Sequence, residues 1–524
     1  MRICAACWTG SGRGASEAGV QREGELMEQF EASFESLTKY RCPEWFRDAK
    51  FGIWSHWGPQ SVPMAGDWYA RNMYLQGTPQ YTYHVRHYGH PSRFGYKDLC
   101  ALWKAERFDP DALAELYKKA GAKYLVAQAV HHDNFFNFRS ASHRFNSVEM
   151  GPGMDICGLW KQAADKAGLR FGVSEHLAPS FVWWNTNKGA DRYGPYKGVP
   201  YDGSDPRFAA LYHKNQEAVV QGGEPGERRP GLTRDPEFQN HWETAMRELI
   251  DQYEPDLLCS DSGLPFGSSF PRQADLPDEP YDSAQYAPGL RTVARLYNSS
   301  IRKYGRNEAV YTQKDQDELI RRIGLIDIER TQFADICEQP WQTETCIGEW
   351  SYDERRPYKQ PGHIIEIFVD IISKNGSMLL SILQRPDGSL DEETRYILEE
   401  LSKWFAVCGE AVYGTRPFRR FGEGTSRAVI TDVLEARTPW TEQDFRFVQK
   451  AGCLYAFVMK APRDGRCVLR SLLPEERVSR VSLLGCGEVP FSQQLGILTV
   501  RLPEHLPTDY VNALKIEFSP GARP

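Results

Sequence analysis

The strongest constraint on this chain is an alternation, from residue 40 to about 415, of short apolar runs with amphipathic helix patterns. The runs are Phe51–Trp57, Tyr124–Val130, Phe171–Leu177, Leu257–Asp261, Ala309–Lys314, Ile323–Glu329 and Met378–Leu383. Runs with no polar alternation imply strands covered on both faces, as in a parallel sheet. The helices between them carry start and stop signals. Asp109-Pro110 opens DPDALAELYKKAG with an N-cap Asp, Pro at the first helical position and Gly121 at the end. Leu113, Leu116, Tyr117 and Ala120 fall on one stripe of it. Asp235-Pro236 opens a second helix running to about Tyr253, and Gly362–Lys374 and Asp391–Cys408 form two more. Strand, helix, strand, repeated roughly seven or eight times, predicts an α/β fold of the (β/α)8-like TIM-barrel type. A doubly wound open sheet shares the alternation; the length and the residues at the strand ends favour the barrel.

After about residue 418 the helical patterns stop. Short alternating runs follow (FRFVQ, LYAFVM, VLRSLL, VSLLG, ILTVRL, LKIEF), predicting a C-terminal antiparallel β-sandwich. The expected organisation is a leader over 1–26, read as disordered, a catalytic barrel over 27–418 and a sandwich over 419–524. Trp183–Gly203, rich in Gly, Pro, Asn and Asp, reads as a long loop of the kind that builds barrel active sites. A net charge of −7 on 524 residues argues against a nucleic-acid partner. No run of eighteen apolar residues predicts a membrane span. The 12 Cys are scattered, and only Cys4 and Cys7 form a CxxC pair, so no metal is expected. Cys157, Cys259, Cys346 and Cys408 sit in apolar runs and read as small buried hydrophobes. Unpatterned thiols tilt the localisation toward a reducing cytoplasm over a periplasmic or secreted one. Nothing calls for a cofactor, and a homo-oligomer is allowed without being specified.

The strand ends carry the chemistry. His56-Trp57, His131-His132-Asp133, Glu175-His176, Asp261 and Glu329 each close a predicted strand. Polar groups at the C-terminal ends of barrel strands are the layout of a catalytic pocket. Asp261 follows PDLLCS and Glu329 follows GLIDI. Two carboxyl groups are what glycoside hydrolysis requires, although either alone is as readily a helix cap or a salt-bridge partner. Successive strand residues point to opposite faces, so His131 and His132 are expected not to chelate one ion. Imidazoles suit sugar hydroxyls instead, the alternative being one pocket His and one buried His. Trp57, Trp68, Trp183, Trp184, Trp341 and Trp350 lie near strand ends, where each could stack on sugar or pack in the core.

Five ordered blocks resemble the family 29 α-L-fucosidases: Lys50–Tyr74, Ala120–Phe138, Tyr253–Gly263, Phe368–Leu390 and Gly409–Phe418. The resemblance implies retaining hydrolysis of terminal α-L-fucose, with a fucosylated oligosaccharide or glycoconjugate as substrate. It implies Asp261 as nucleophile and Glu329, in DIERT, as acid/base, with Glu338 in reserve. It implies fucose contacts for His56, His131 and His132, and for Trp68 in Asp67-Trp68-Tyr69, where the family carries Glu-Trp-Tyr. His176, Trp57, Trp341 and Trp350 join them as expected substrate-binding residues. Gln339–Tyr352 and Phe171–Trp184 are similar to the branch preferring α-1,3/1,4 linkages. Lys314 falls near a position that is Arg in some members, and no role is assigned to it. Rival readings are another retaining exo-glycosidase such as a galactosidase, a non-catalytic sugar-binding protein, and a metal-dependent hydrolase.

Overall fold

The computed structural model describes residues 29–214, 233, 235–266, 283–315, 317–426 and 437–521. The expected leader lies outside these. Eight parallel strands form the central sheet: β1 Phe51–Ser55, β2 Tyr124–Val130, β3 Arg170–Glu175, β4 Leu257–Ser260, β5 Val310–Gln313, β6 Leu325–Ile326, β7 Trp341–Cys346 and β8 Gly376–Ser381. Their spatial order is β6-β5-β4-β3-β2-β1-β8-β7. A parallel bridge pairs Asp327, just past β6, with Gln342 of β7. The Ile328 and Arg330 amides extend it, donating to the Gln342 and Glu344 carbonyls at 2.9 Å. The ring is thus nearly closed, and the barrel reading prevails over the open sheet.

Helices cover the outside as their signals require. Asp109 Oδ1 accepts from the Ala112 amide at 3.0 Å, capping Pro110–Lys119. Leu113, Tyr117 and Ala120 are buried beneath that helix. Gly121, which ends it, has φ +102°, and a Cβ there would meet the Phe405 ring at 2.3 Å. Asp235 caps Pro236–Tyr253 through the Phe238 amide at 2.9 Å. All the described cysteines are free thiols, and Cys157, Cys259, Cys346 and Cys408 are buried.

The C-terminal part is antiparallel. One six-stranded sheet has Arg416–Glu423 and Gly487–Glu488 at its edges and Asn512–Phe518 inside it, and a three-stranded sheet joins Arg466–Leu469, Ile497–Arg501 and Phe491–Gln494. The expected 418/419 boundary falls inside the first of these strands. Phe418, Phe445, Phe447, Leu498 and Ile516 belong to a core of its own. A buried ion triad ties the two parts together. Asp370, on barrel helix Pro361–Ser373, pairs with Lys374 at 2.7 Å and with Arg446 of the antiparallel sheet. Among the described residues no helix is long and apolar enough to cross a membrane.

Candidate active site

Most barrel strands end earlier than the apolar runs suggest. β1 stops at Ser55, β3 at Glu175, β4 at Ser260, β5 at Gln313 and β6 at Ile326. The next residues are His56, His176, Asp261, Lys314 and Asp327. Pairing gives way where side chains must turn over the barrel mouth.

At the centre lies Asp261. Its Oδ2 accepts from His176 Nδ1 at 2.7 Å and lies 3.4 Å from His132 Nε2. Its Oδ1 accepts from the Lys314 ammonium. Burial alone would raise this carboxyl, but Lys314, His176 and His132 outweigh it and hold Asp261 well below the usual carboxylate range. Asp261 is therefore an ionised, oriented carboxylate.

Lys314 Nζ also reaches Glu329 Oε2 at 2.7 Å and Glu344 Oε1 at 2.6 Å. Burial opposes its charge, yet Asp261, Glu329 and Glu344 together raise the ammonium well above its ordinary value. Carboxylate oxygens of Asp261, Glu329 and Glu344 lie within 4.8 Å of one another. Exposure is graded along this row: the Glu329 side chain is 39% exposed, Asp261 18% and Glu344 1%. Glu329 stands at the mouth, where Trp350 Nε1 donates to its Oε1 at 3.1 Å.

Imidazoles line the opposite wall. His56 Nδ1 donates to the Trp350 carbonyl at 3.0 Å, and His132 Nδ1 to the His176 carbonyl at 2.6 Å. His131 Nδ1 meets the Gln60 amide at 2.6 Å. Burial pushes His56 down to about 3. It drives His131 well below its ordinary value, aided by His132, His176 and His56. Neutral rings of this kind can both donate to and accept from hydroxyls. Nitrogens of His56, His131 and His176 also lie within 4.8 Å of one another, a spacing open to a cation as well as to hydroxyls. Among the carboxylates, Lys314 already supplies the positive charge.

The expectation that His131 and His132 point apart does not hold. Their ring centroids are 4.5 Å apart. β2 ends at Val130 after a register shift between Gln128 and Val130, so strand alternation no longer governs them. Trp68, at φ +53°, packs at 6.0 Å from His132 and 6.3 Å from Trp183. Asp67 lies beside it; burial raises its carboxyl to about 7, with Asp261 and Glu329 adding to the rise. Trp350 stands 5.8 Å from His56.

Three expected residues are elsewhere. Trp57 is buried against Trp103 and Phe108, and its Nε1 donates to the Arg385 carbonyl at 2.9 Å. Trp341 begins β7 opposite Gly376, at the far end of the barrel, and donates to the Lys374 carbonyl at 2.9 Å. Glu338 is exposed at that same end, where Asn375 holds its carbonyl at 3.1 Å. Each lies near a strand in sequence but on the wrong side of it. Trp184 is a core residue packed on Tyr74 and Tyr212. The groups that sequence reasoning passed over are Lys314, which closes a predicted strand, and Glu344 and Asp327. For Glu344 the sequence offers only the unbroken polar run Gln342–Thr345 within WQTETC.

A family model for alpha-L-fucosidase matches residues 19–410. The chain belongs to the alpha-L-fucosidase family. Among fucosidase relatives, tissue alpha-L-fucosidase of Rattus norvegicus is 26% identical over 499 residues, covering 93% of this chain and 91% of its own. Plasma alpha-L-fucosidase of Homo sapiens is 25% identical, covering 91% and 89%. Among solved fucosidase structures, that of Thermotoga maritima with fucose superposes with a TM-score of 0.67 at 23% identity, over 93% of this chain and 100% of that one. A Bacteroides thetaiotaomicron alpha-L-fucosidase, solved as a trapped covalent intermediate, gives 0.61 at 15% identity, over 91% and 95%. The nearly closed barrel with its antiparallel appendage is the architecture these structures share with the chain.

Proposed function

We propose that this fucosidase removes terminal α-L-fucose from oligosaccharides or glycoconjugates by double displacement, with Asp261 as nucleophile and Glu329 as general acid/base. The observation that carries the reading is the single ammonium of Lys314 touching both carboxylates, whose nearest oxygens lie within 4.8 Å. Retaining pairs stand about 5–5.5 Å apart, whereas inverting pairs need roughly 6.5–9.5 Å to admit water between them. Asp261 forms a bond to the anomeric carbon as the bond to the leaving oxygen breaks and Glu329 protonates that oxygen. Glu329 then takes a proton from water as water attacks the ester, returning Asp261 as carboxylate. The depressed carboxyl of Asp261 suits a nucleophile that must be ionised.

His56, His131, His132, His176 and Asp67 would hold the sugar hydroxyls. Trp68, Trp183 and Trp350 supply aromatic walls for the ring face and the C6 methyl. One methyl contributes only ~1–3 kcal/mol of discrimination, so selectivity rests mainly on the hydroxyl contacts. A preference for α-1,3/1,4 linkages rests on the likeness of the segments around Glu329 and Gln339–Tyr352, and a panel of linkage isomers of fucosylated trisaccharides tests it. The nucleophile is tested with Asp261→Gly. Turnover of an aryl fucoside should nearly vanish, and azide should restore part of it with fucosyl azide as product. Turnover near the wild-type rate without azide would remove Asp261 from the mechanism.

A further inference from the structure

Lys314 poses a chemical difficulty for Glu329. A general acid must carry a proton when substrate arrives, and the Lys314 ammonium that serves Asp261 also lies 2.7 Å from the Glu329 carboxyl. Glu344 supplies the way out. It projects from β7 into the barrel lumen, is 1% exposed, and sits 2.6 Å from the same ammonium. Its other oxygen accepts from the Cys259 thiol at 3.8 Å. Asp327 lies alongside, its Oδ1 accepting from the Glu344 amide at 3.1 Å and its Oδ2 from Gln342.

The charged and titratable groups facing this cluster are Asp261 and Cys259 from β4 and its end, Lys314 after β5, Asp327 and Glu329 after β6, His176 after β3, and Tyr124 and His132 from β2 and just beyond it. One ammonium faces four buried or half-buried carboxylates, and burial disfavours so many negative charges in one lumen. Burial raises the Glu344 carboxyl, Lys314 opposes, and Asp327, Asp261 and Glu329 add to the rise, leaving it well above the usual carboxylate range. Asp327 is raised to about 6, first by burial.

Resting on the assignment of Glu329 above, we propose that Glu344 is a positioning residue that holds the acid/base's proton in the empty site and exchanges it with Glu329 as Lys314 turns from one to the other. In the empty site Glu344 is the neutral acid, and the Lys314 ammonium touches it together with Asp261 and Glu329. A fucoside filling the space between Asp261 and Glu329 separates Lys314 from Glu329 and leaves it to Glu344. The O–H bond on Glu344 breaks as its proton passes to Lys314 Nζ, an N–H bond of the same ammonium breaks as its proton passes to Glu329 and forms an O–H bond there, and the ammonium ends with the three protons it began with. The net charge of the lumen does not change, so no uncompensated charge is created in a site that solvates charge poorly.

The test compares wild type with Glu344→Gln, which is fixed in the neutral state. The alkaline limb of kcat/KM for an alkyl fucoside should move down by about one pH unit or more. The loss at neutral pH should be at least about tenfold greater for that poor leaving group than for an activated aryl fucoside. A merely structural defect would lower both substrates alike and leave the limb in place, and that outcome overturns the proposal. Calorimetry of L-fucose binding in buffers of different ionisation enthalpy gives a readout that needs no variant. Wild type should bind with little net proton exchange, and Glu344→Gln with uptake of about one proton. Uptake of about one proton by wild type overturns the exchange even if Glu344→Gln fails to fold. Glu329→Ala is run alongside. If it shows no bias against poor leaving groups, the two-acid reading itself falls; if it shows that bias while Glu344→Gln leaves the limb in place, only the exchange falls.

Discussion

Replacing Lys314 by Met removes one buried charge from the centre of the site and keeps most of the side-chain volume. Lys314 is 4% exposed and contacts Asp261, Glu329 and Glu344. An opposite charge within about 4–6 Å lowers a carboxyl by about 1–3 pH units, each unit being about 1.36 kcal/mol. Asp261 would keep His176 at 2.7 Å and His132 at 3.4 Å, so the lower half of that range applies, about 1–2 units. The sign follows from the ionised form being the nucleophile. Wild type, with its depressed carboxyl, stays active as pH falls until the folded value of Asp261 is reached. In Lys314→Met the decline begins about 1–2 units higher, so a pH at the foot of the wild-type plateau costs about 10–100-fold. The assay is kcat/KM for an activated aryl fucoside, whose departure needs little help from Glu329, so the acidic limb reports the nucleophile. Lys314→Arg keeps the charge and should keep the limb near its wild-type position. An acidic limb unmoved in Lys314→Met would refute the electrostatic account of Asp261.

Asp370→Asn should destabilise the protein by about 3–5 kcal/mol, because Arg446 and Lys374 would remain buried without their counter-ion. Thermal unfolding would read this as a lowered Tm, and an unchanged Tm would remove the triad as the tie between barrel and sandwich. EDTA should leave fucoside turnover unchanged, since Lys314 rather than an ion supplies the positive charge beside Asp261; inhibition reversed by a divalent metal would revive the histidine-bound cation.

The site's legibility in the sequence followed a simple physical rule. His56, His176 and Asp261 each come just after an apolar strand, where the chain leaves the lumen and polar groups gather; Lys314 does so too, but its position alone does not show its role. That rule also placed the barrel and its capped helices, because Asp109 and Asp235 announce their helices by composition alone. β7 escaped it. Its run WQTETC is wholly buried but polar, since Gln342 bonds to Asp327 and Tyr124, and Glu344 bonds to Lys314. A strand whose burial is satisfied by ions and amides carries no hydrophobic pattern to read. Trp57, Trp341 and Glu338 failed for the converse reason: nearness to a strand in sequence does not say which end or face a side chain occupies. His131 and His132 lie beyond the end of β2 at Val130, where strand alternation no longer sets their directions, and local composition does not encode that end.

The most direct test of the covalent account is to trap the intermediate. The protein is inactivated with 2-deoxy-2-fluoro-L-fucosyl fluoride, digested, and the modified peptide sequenced by mass spectrometry. The account predicts one fucosyl adduct, on the peptide carrying Asp261 and on that side chain. An adduct on Glu329, Glu344 or Asp67, or full inactivation with no adduct at all, would contradict it.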